Sequence, residues 1–174
     1  ENHEILGLIT TARTAGNPYK INITRNVSVS LDISEILRTL NIKNDGNYIY
    51  GYALETDIAT ILKSITDKEP KAKATGMNKE GVIKNSGTIA SGDTINIKTD
   101  REEKKYTIII YGDVNGDGKI TATDYMMIKN DIMDIKKLTE LEKICADVSR
   151  DGNITASDYM MIKNDIMDIK PIIQ

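Results

Sequence analysis

The sequence predicts an α+β protein, in which a small β-rich region over residues 1–110 precedes an all-helical region over residues 111–174. In the first region, short runs rich in Ile, Val and Tyr alternate with Gly-containing and charged turns, which is typical of strands. In the second, one loop-and-helix segment is repeated almost letter for letter, over residues 113–135 and 147–169. We therefore expect two domains, the second built from a duplicated element.

The first region is predicted to mix short strands with two helices. A helix is expected over residues 32–42, capped by Asp32, and another over residues 57–65, because Ile and Leu recur there at helical spacing. The strand-like runs cover residues 19–31, 48–52, 71–77, 87–99 and 104–112. The charge clusters at residues 67–73 and 101–105 are expected to be solvated loops. Nothing in this region indicates a chemistry.

Composition excludes several classes of function. Cys145 is the only cysteine, which rules out an intrachain disulfide, and the only histidine, His3, lies at the N-terminus, which argues against a Ser-His-Asp triad and a His/Cys zinc site. Cys145 is expected to be a small buried residue on a helix. The net charge of −3, with both signs mixed, argues against nucleic acid as a partner. No apolar run is long enough for a membrane span, and the N-terminus lacks the pattern of a signal peptide.

The repeated loop has the spacing of a calcium site. Calcium takes six to eight oxygen ligands, which a twelve-residue loop supplies from side chains at positions 1, 3, 5 and 12, a carbonyl at position 7 and a water-bridged position 9. Glycine at position 6, here Gly118 and Gly152, allows the sharp bend. We predict two calcium sites, with the ligands Asp113, Asn115, Asp117, Lys119, Thr121 and Asp124 in the first and Asp147, Ser149, Asp151, Asn153, Thr155 and Asp158 in the second.

The two loops are not identical. Position 12 is Asp in both, whereas the EF-hand pattern has the longer Glu, so the helix that follows must lie closer to the metal. Ser149 replaces Asn at position 3 of the second loop, and Arg150 adds a positive charge beside it. We therefore expect the second site to bind calcium more weakly. Ile120 and Ile154, at position 8, are expected to pair across the loops.

Each loop leads into the helical sequence DYMMIKNDIMDI. An apolar stripe along it is predicted to pack the two helices together, through Tyr125, Ile128, Ile132 and Ile135 and their counterparts Tyr159, Ile162, Ile166 and Ile169. On the opposite side, Met, Lys and Asn recur in both copies. The methionines there either belong to the core or, if exposed, form an adaptable protein-binding surface with the Lys and Asn residues.

Two calcium loops with Asp at position 12, each followed by one helix, resemble the dockerin module, and the strand-like run KKYTIIIYGD before the first loop is similar to dockerins as well. The resemblance implies calcium-dependent binding to a cohesin on a scaffold or cell-surface protein, which assembles secreted enzymes outside a bacterial cell. It places the cohesin contacts on two nearly identical faces, which allows a dual binding mode. These faces are Ala122, Thr123, Met126, Lys129, Asn130 and Met133, and Ala156, Ser157, Met160, Lys163, Asn164 and Met167.

Residues 1–110 resemble the companion X-like modules that precede dockerins in clostridial secreted proteins. Because no flexible linker precedes Tyr111, the two domains are expected to pack rigidly, and Tyr111 to stack near Pro171 and clasp the ends of the repeat. We expect a monomer without enzymatic activity. The alternatives are a calcium-stabilised module whose first domain binds carbohydrate or cell wall, an enzyme fragment using paired carboxylates, and an EF-hand signalling protein. The absence of Trp and Phe weakens the carbohydrate alternative.

Overall fold

The computed structural model describes residues 30–174, so His3 and most of the strand predicted over residues 19–31 lie outside the described residues. We call residues 30–110 the sheet region and residues 111–174 the duplicated region. The elements, in chain order, are α1 (Ile33–Thr39), β1 (Lys43–Asp45), β2 (Tyr48–Tyr50), α2 (Ile58–Lys68), β3 (Lys73–Met77), β4 (Thr94–Lys98), β5 (Glu103–Ile108), α3 (Ala122–Ile132), α4 (Glu140–Ala146) and α5 (Ala156–Ile166).

In the described part of the chain, five strands form one mixed sheet in the order β1-β2-β5-β4-β3. The pair β2–β5 is parallel and the other pairs are antiparallel. β5 therefore lies at the centre of the sheet and carries the chain directly toward the first loop. The predicted fold class is confirmed: a mixed sheet with helices precedes a helical region that holds α3, α4 and α5.

The core of the sheet region forms between the two helices and the central strands. Asp32 and Asp57 begin the helices, because their carboxylates accept the amides of Glu35 and Ala59, both at 2.7 Å. The buried cluster combines one face of each helix with alternate residues of the strands, including Ile36, Leu37, Ile58, Ile61, Ile65, Ile95, Ile97, Tyr106 and Ile108. This burial stabilises the sheet from one side.

Three features of the sheet region differ from prediction. β1 was not predicted, because its three residues are all exposed and show no alternation. α2 continues to Lys68, beyond the predicted end at residue 65. Glu69, within a cluster predicted to be solvated, is buried, and its carboxylate accepts the amides of Leu31 (2.8 Å) and Lys71 (3.2 Å). The hydrogen bond from Leu31 contributes most to lowering the pKa of Glu69.

The two repeats pack through their helices. Tyr125 and Tyr159 stack with ring centroids 4.1 Å apart and are joined by a hydrogen bond between their hydroxyls. Next to them, Ile128 and Ile162 are fully buried. Ile120 and Ile154 pack partly buried against the same cluster, while their direct pairing stays a prediction.

Half of the predicted apolar stripe is exposed. Ile132 and Ile166 are 42% and 38% exposed, and Ile135 and Ile169 are both 64% exposed. The prediction was wrong for these four residues: Ile132 and Ile166 are the last residues of α3 and α5, and Ile135 and Ile169 lie beyond the helix ends, where the helical spacing no longer applies. At the end of α3, Asp134 adopts a left-handed φ of 58°, and the amide of Ile135 bonds back to the carbonyl of Asn130 (2.9 Å). The same turn, with Asp168 at φ 54°, ends α5.

The sheet and duplicated regions meet without a spacer. Ile109 and Ile110 follow β5 and are 1% and 0% exposed. The amide of Gly112 donates to the carbonyl of Cys145 on α4 (2.8 Å). α4 was not predicted as an element, although Cys145 was expected on a helix, and its burial to 1% exposure confirms that expectation. No helix within residues 30–174 is long and apolar enough to cross a membrane.

The ends of the duplicated region meet, while stacking of Tyr111 near Pro171 stays a prediction. The side-chain amide of Gln174 accepts from the amide of Tyr111 (2.7 Å) and donates to its carbonyl (2.9 Å). The Tyr111 ring lies against the Arg150 guanidinium, 4.2 Å from the ring centroid, and edge-on to Tyr50. Pro171 is exposed. The contacts that close the ends are therefore made by Gln174 and Arg150.

Cys145 should be nearly inert to thiol reagents in the folded protein. Burial raises the pKa of its thiol to about 12, and the thiol contacts Ser91 of the sheet region. At pH 8 we expect alkylation by iodoacetamide at least about a hundredfold slower than in urea, because little thiolate forms and the sulfur is covered. Mass spectrometry of quenched samples measures the rate. Equal rates in buffer and in urea would contradict the packing of α4 against the sheet region.

Candidate metal centres and docking faces

Loop 1 (residues 113–124) curls around the carboxylate of Asp113. Oδ1 accepts the amide of Asp117 (3.0 Å), and Oδ2 accepts the amides of Gly118 (3.1 Å) and Ser91 (2.8 Å). Gly118 takes a left-handed φ of 83° at the bend, as position 6 requires. Asn115 and Asp117 are joined through the Asn115 Nδ2 and Asp117 Oδ2 atoms (2.8 Å). Positions 1, 3 and 5 therefore lie together on the inner side of one tight turn.

Asp124 closes loop 1 from the first turn of α3. Its Oδ2 accepts the amide (2.9 Å) and hydroxyl (3.1 Å) of Thr121, and Oδ1 accepts the amides of Val114 and Asn115, both at 2.9 Å. Thr121 is at the same time the N-cap of α3 and accepts the amide of Thr123 (3.2 Å). One carboxylate thus fixes both the start of the loop and the start of the helix.

Loop 2 (residues 147–158) repeats this arrangement. Asp147 accepts the amides of Asp151 (3.1 Å) and Gly152 (2.8 Å) and the hydroxyl of Ser149 (3.3 Å). Asp158 accepts the amide of Ser149 (2.8 Å) and both the amide and hydroxyl of Thr155, the N-cap of α5. Hydrogen bonds, most of them to backbone amides, therefore link positions 1, 3, 5, 9 and 12 within each repeat, and metal binding by these residues stays a prediction. Position 7, at Lys119 and Asn153, is exposed, and a role for its carbonyl stays a prediction.

The buried carboxylates of loop 1 repel one another. Asp113 and Asp124 are both 0% exposed. Burial raises the pKa of the Asp113 carboxyl, and the charge of Asp124 raises it further, against the lowering effect of the hydrogen bonds from Ser91, Gly118 and Asp117. A cation beside both groups would relieve this repulsion.

The donor set fits a hard cation. Its side-chain ligands are carboxylate, amide and hydroxyl oxygens, which calcium prefers. A carboxylate has about four lone-pair positions. Asp117 accepts two hydrogen bonds and keeps free positions, whereas Asp124 accepts four and must give some up to bind a metal. The carboxylate oxygens of the loop are thus directed largely at backbone amides. Within residues 30–174, no three His, Cys, Asp or Glu side chains converge as a metal cluster.

Loop 1 also has contacts that the sequence patterns did not indicate. Ser91 donates its amide to Asp113, and Lys79 donates its Nζ to the carbonyls of Asn115 (3.0 Å) and Gly116 (3.3 Å). Both residues belong to the sheet region. One difference in sequence between the repeats is related to these contacts: position 4 is Gly116 in loop 1 and Arg150 in loop 2.

The predicted docking residues lie on two matching surfaces. Met126 and Met133 are 45% and 56% exposed, and their counterparts Met160 and Met167 are 44% and 56% exposed. The methionines are therefore surface residues. The residues just after each loop, Ala122, Thr123, Ala156 and Ser157, are exposed as well. Lys163 is exposed, whereas Lys129, Asn130 and Asn164 are partly buried.

A family comparison agrees with this geometry. Residues 111–167 match the family model of the dockerin type I domain. The dockerin resemblance is thereby confirmed for these residues, which we call the dockerin region. A comparison with curated proteins finds no match.

The dockerin region carries general implications. A dockerin is a cohesin-binding assembly module, and dockerin type I domains typically bind calcium. Dockerin modules belong to secreted, cellulosome-associated proteins. The family comparison finds only a dockerin domain, and no catalytic domain is identified in the 174 residues.

Proposed function

We propose that this chain is a calcium-dependent docking module that binds a cohesin on a scaffold or cell-surface protein and thereby assembles secreted bacterial enzymes. The observation that carries the proposal is the direct connection of each oxygen-lined loop to an exposed helix face. Asp124 and Asp158 each belong to a loop and to the capping box of the following helix. Ordering of the loop therefore fixes the position of the face.

Calcium would be held by the ligands named from the sequence, and the hydrogen bonds that link positions 1, 3, 5, 9 and 12 within each loop support this proposal. When bound, it supplies positive charge that neutralises the clustered carboxylates. The chain's own groups do the rest. The hydroxyls of Thr121 and Thr155 cap α3 and α5, and the Tyr125–Tyr159 stack holds the two helices together.

A dual binding mode is supported by the likeness of the two faces. The repeats meet at paired copies of the same residue, Tyr125 and Tyr159, and present Met, Lys and Asn at corresponding positions. A rotation that exchanges the repeats brings one face onto the place of the other. A cohesin that fits one face should therefore fit the other with nearly equal affinity.

Charge reversal on one face or both tests the dual mode. We expect Lys129→Glu and Lys163→Glu each to weaken binding of a cohesin panel by only about twofold, because the other face remains, and the double variant by more than about a hundredfold. Titration calorimetry in calcium gives the affinities, and excess chelator should abolish binding. Lys105→Glu, at an exposed site on β5, is the control. A single variant that already loses binding would leave one face only, and binding that survives chelator would refute calcium dependence.

The carbohydrate or cell-wall alternative finds less support. Sugar-binding surfaces rely on exposed aromatic rings, and within residues 30–174 every tyrosine is buried or partly buried. We propose that residues 1–110 form a companion domain and residues 111–174 the docking domain, with the X-like assignment resting on resemblance alone. If the chain bound no cohesin in calcium, the carbohydrate or cell-wall alternative would be favoured.

A further inference from the structure

We propose that three residues of the sheet region, Lys79, Ile89 and Ser91, hold loop 1 in its binding shape without calcium, and we call these residues the cradle. Loop 2, in contrast, depends on calcium for its order. The two calcium sites would then be unequal, with the first loaded before the second. This inference rests on the proposed function only for its calcium part. The cradle itself is a property of the calcium-free chain.

The main contact is a buried hydrogen bond between the regions. Ser91 lies in the turn between Ile89 and Asp93 and is 4% exposed, and its amide donates to Asp113 Oδ2 at 2.8 Å. Its hydroxyl bonds to both the carbonyl and the amide of Ile110 (3.1 Å each), which fixes the turn to the chain just before the loop. The first ligand of loop 1 therefore has a partner outside the loop.

A second contact comes from Lys79. Its ammonium reaches the carbonyls of Asn115 and Gly116, at positions 3 and 4 of the loop. One lysine of the sheet region therefore binds two successive backbone carbonyls of the loop. Charge-assisted hydrogen bonds of this kind are stronger than neutral ones.

Backbone packing completes the cradle. A Cβ atom added at Gly116 would lie 2.5 Å from the carbonyl oxygen of Ser91, and one added at Gly118 would lie 2.8 Å from that of Ile89. No side chain fits between loop 1 and the turn of the sheet region. This close approach explains why position 4 of loop 1 is glycine.

Loop 2 has no comparable hydrogen bonds to the sheet region within residues 30–174, and its contacts through Arg150 are with Tyr111 and Ile173 of the duplicated region. Among residues 30–174, Asp147 accepts hydrogen bonds only from its own loop, and a Cβ atom at Gly152 would meet nothing within 4 Å. Position 4 is Arg150, which holds a similar left-handed φ of 62° and is exposed. Gly118 is buried where Gly152 is exposed. The repeats thus differ in their environment more than in their ligands.

Hydrogen exchange of the full chain in excess chelator tests the cradle. We expect the amides of Asp117 and Gly118 to be protected at least about tenfold more than those of Asp151 and Gly152, because the cradle opposes opening of loop 1. Lys79→Met should lower the protection factors of the loop 1 amides about tenfold and leave those of loop 2 unchanged. Lys105→Met is the matched control. Equal protection of both loops in the unmodified chain, or an equal loss in both with Lys79→Met, would overturn the proposal.

A matched glycine pair gives a second measurement. Gly118→Ala and Gly152→Ala introduce the same strain, since the φ angles are 83° and 85°. Only the first collides with the sheet region, so it should speed alkylation of Cys145 in chelator by about tenfold, while Gly152→Ala should not. Equal rates would overturn the cradle. Calcium calorimetry then separates the two proposals: without calcium uptake the docking function fails, yet the measurements in chelator still decide the cradle.

Discussion

Asp124→Ala is expected to lower the free energy of unfolding by about 4 kcal/mol and to destroy the first calcium site. The carboxylate is 0% exposed and accepts four hydrogen bonds, from Val114, Asn115 and Thr121. Alanine leaves these donors without their acceptor, and the amide of Val114 is buried. Urea unfolding followed by circular dichroism, in calcium and in chelator, measures the loss.

Asp158→Ala is the matched control for this prediction. It occupies the same position in loop 2 but accepts three hydrogen bonds instead of four. Its loop lacks contacts to the sheet region, so we expect a loss of the second calcium site with a smaller loss of stability. If Asp124→Ala cost less than about 1 kcal/mol in chelator, the carboxylate would not be holding the loop as described.

Asp93→Ala should cost about 3–5 kcal/mol, because it removes one member of a buried ion pair. Asp93 is 2% exposed, and its Oδ2 accepts from Lys84 Nζ (2.6 Å) and from the amide of Ala90 (2.9 Å). These bonds shape the turn that presents Ser91 to loop 1. The substitution should therefore destabilise the sheet region and also loosen the loop.

A double-mutant cycle separates the ion pair from the turn. Lys84→Met alone leaves the buried carboxylate of Asp93 without its ion-pair partner. Lys84→Met with Asp93→Leu removes both charges and should recover part of the lost stability. Thermal unfolding of the unmodified chain, the Lys84→Met and Asp93→Leu single variants and the double variant gives the coupling energy. Additive effects would show that the two side chains act independently. Faster exchange of the Gly118 amide in every variant lacking Asp93 would link the turn to loop 1.

Local sequence signals predicted the parts of the molecule that depend on local contacts. Asp32 and Asp57 were visible as helix starts because a cap bonds to amides two or three residues away. The loops were visible because their ligands follow a fixed spacing. The helix ends were missed because Asp134 takes a left-handed conformation that usually belongs to glycine or asparagine. The order of the strands in the sheet could not be predicted either, because the hydrophobic periodicity of a strand does not indicate which strands it pairs with.

The contacts that distinguish loop 1 from loop 2 could not be predicted from spacing. Ser91 and Asp113 are 22 residues apart in sequence, and Lys79 and Asn115 are 36 apart. The bond from Ser91 uses its backbone amide, which every residue except proline has, so side-chain identity carries no signal. The one related difference in sequence is that position 4 is Gly116 in loop 1 and Arg150 in loop 2. The structure explains it, because the backbone of Ser91 leaves no room for a side chain at Gly116.

The two hydrogen bonds between Tyr111 and Gln174 give the duplicated region a nearly circular path. When the ends of a packed unit touch, a short joint can connect them and the chain can be opened elsewhere. The exposed run 133–137 between α3 and α4 offers such an opening. A circular permutant cut there would begin with the second repeat and finish with the first. Which repeat comes first is thus a matter of chain connectivity, separate from how the repeats pack.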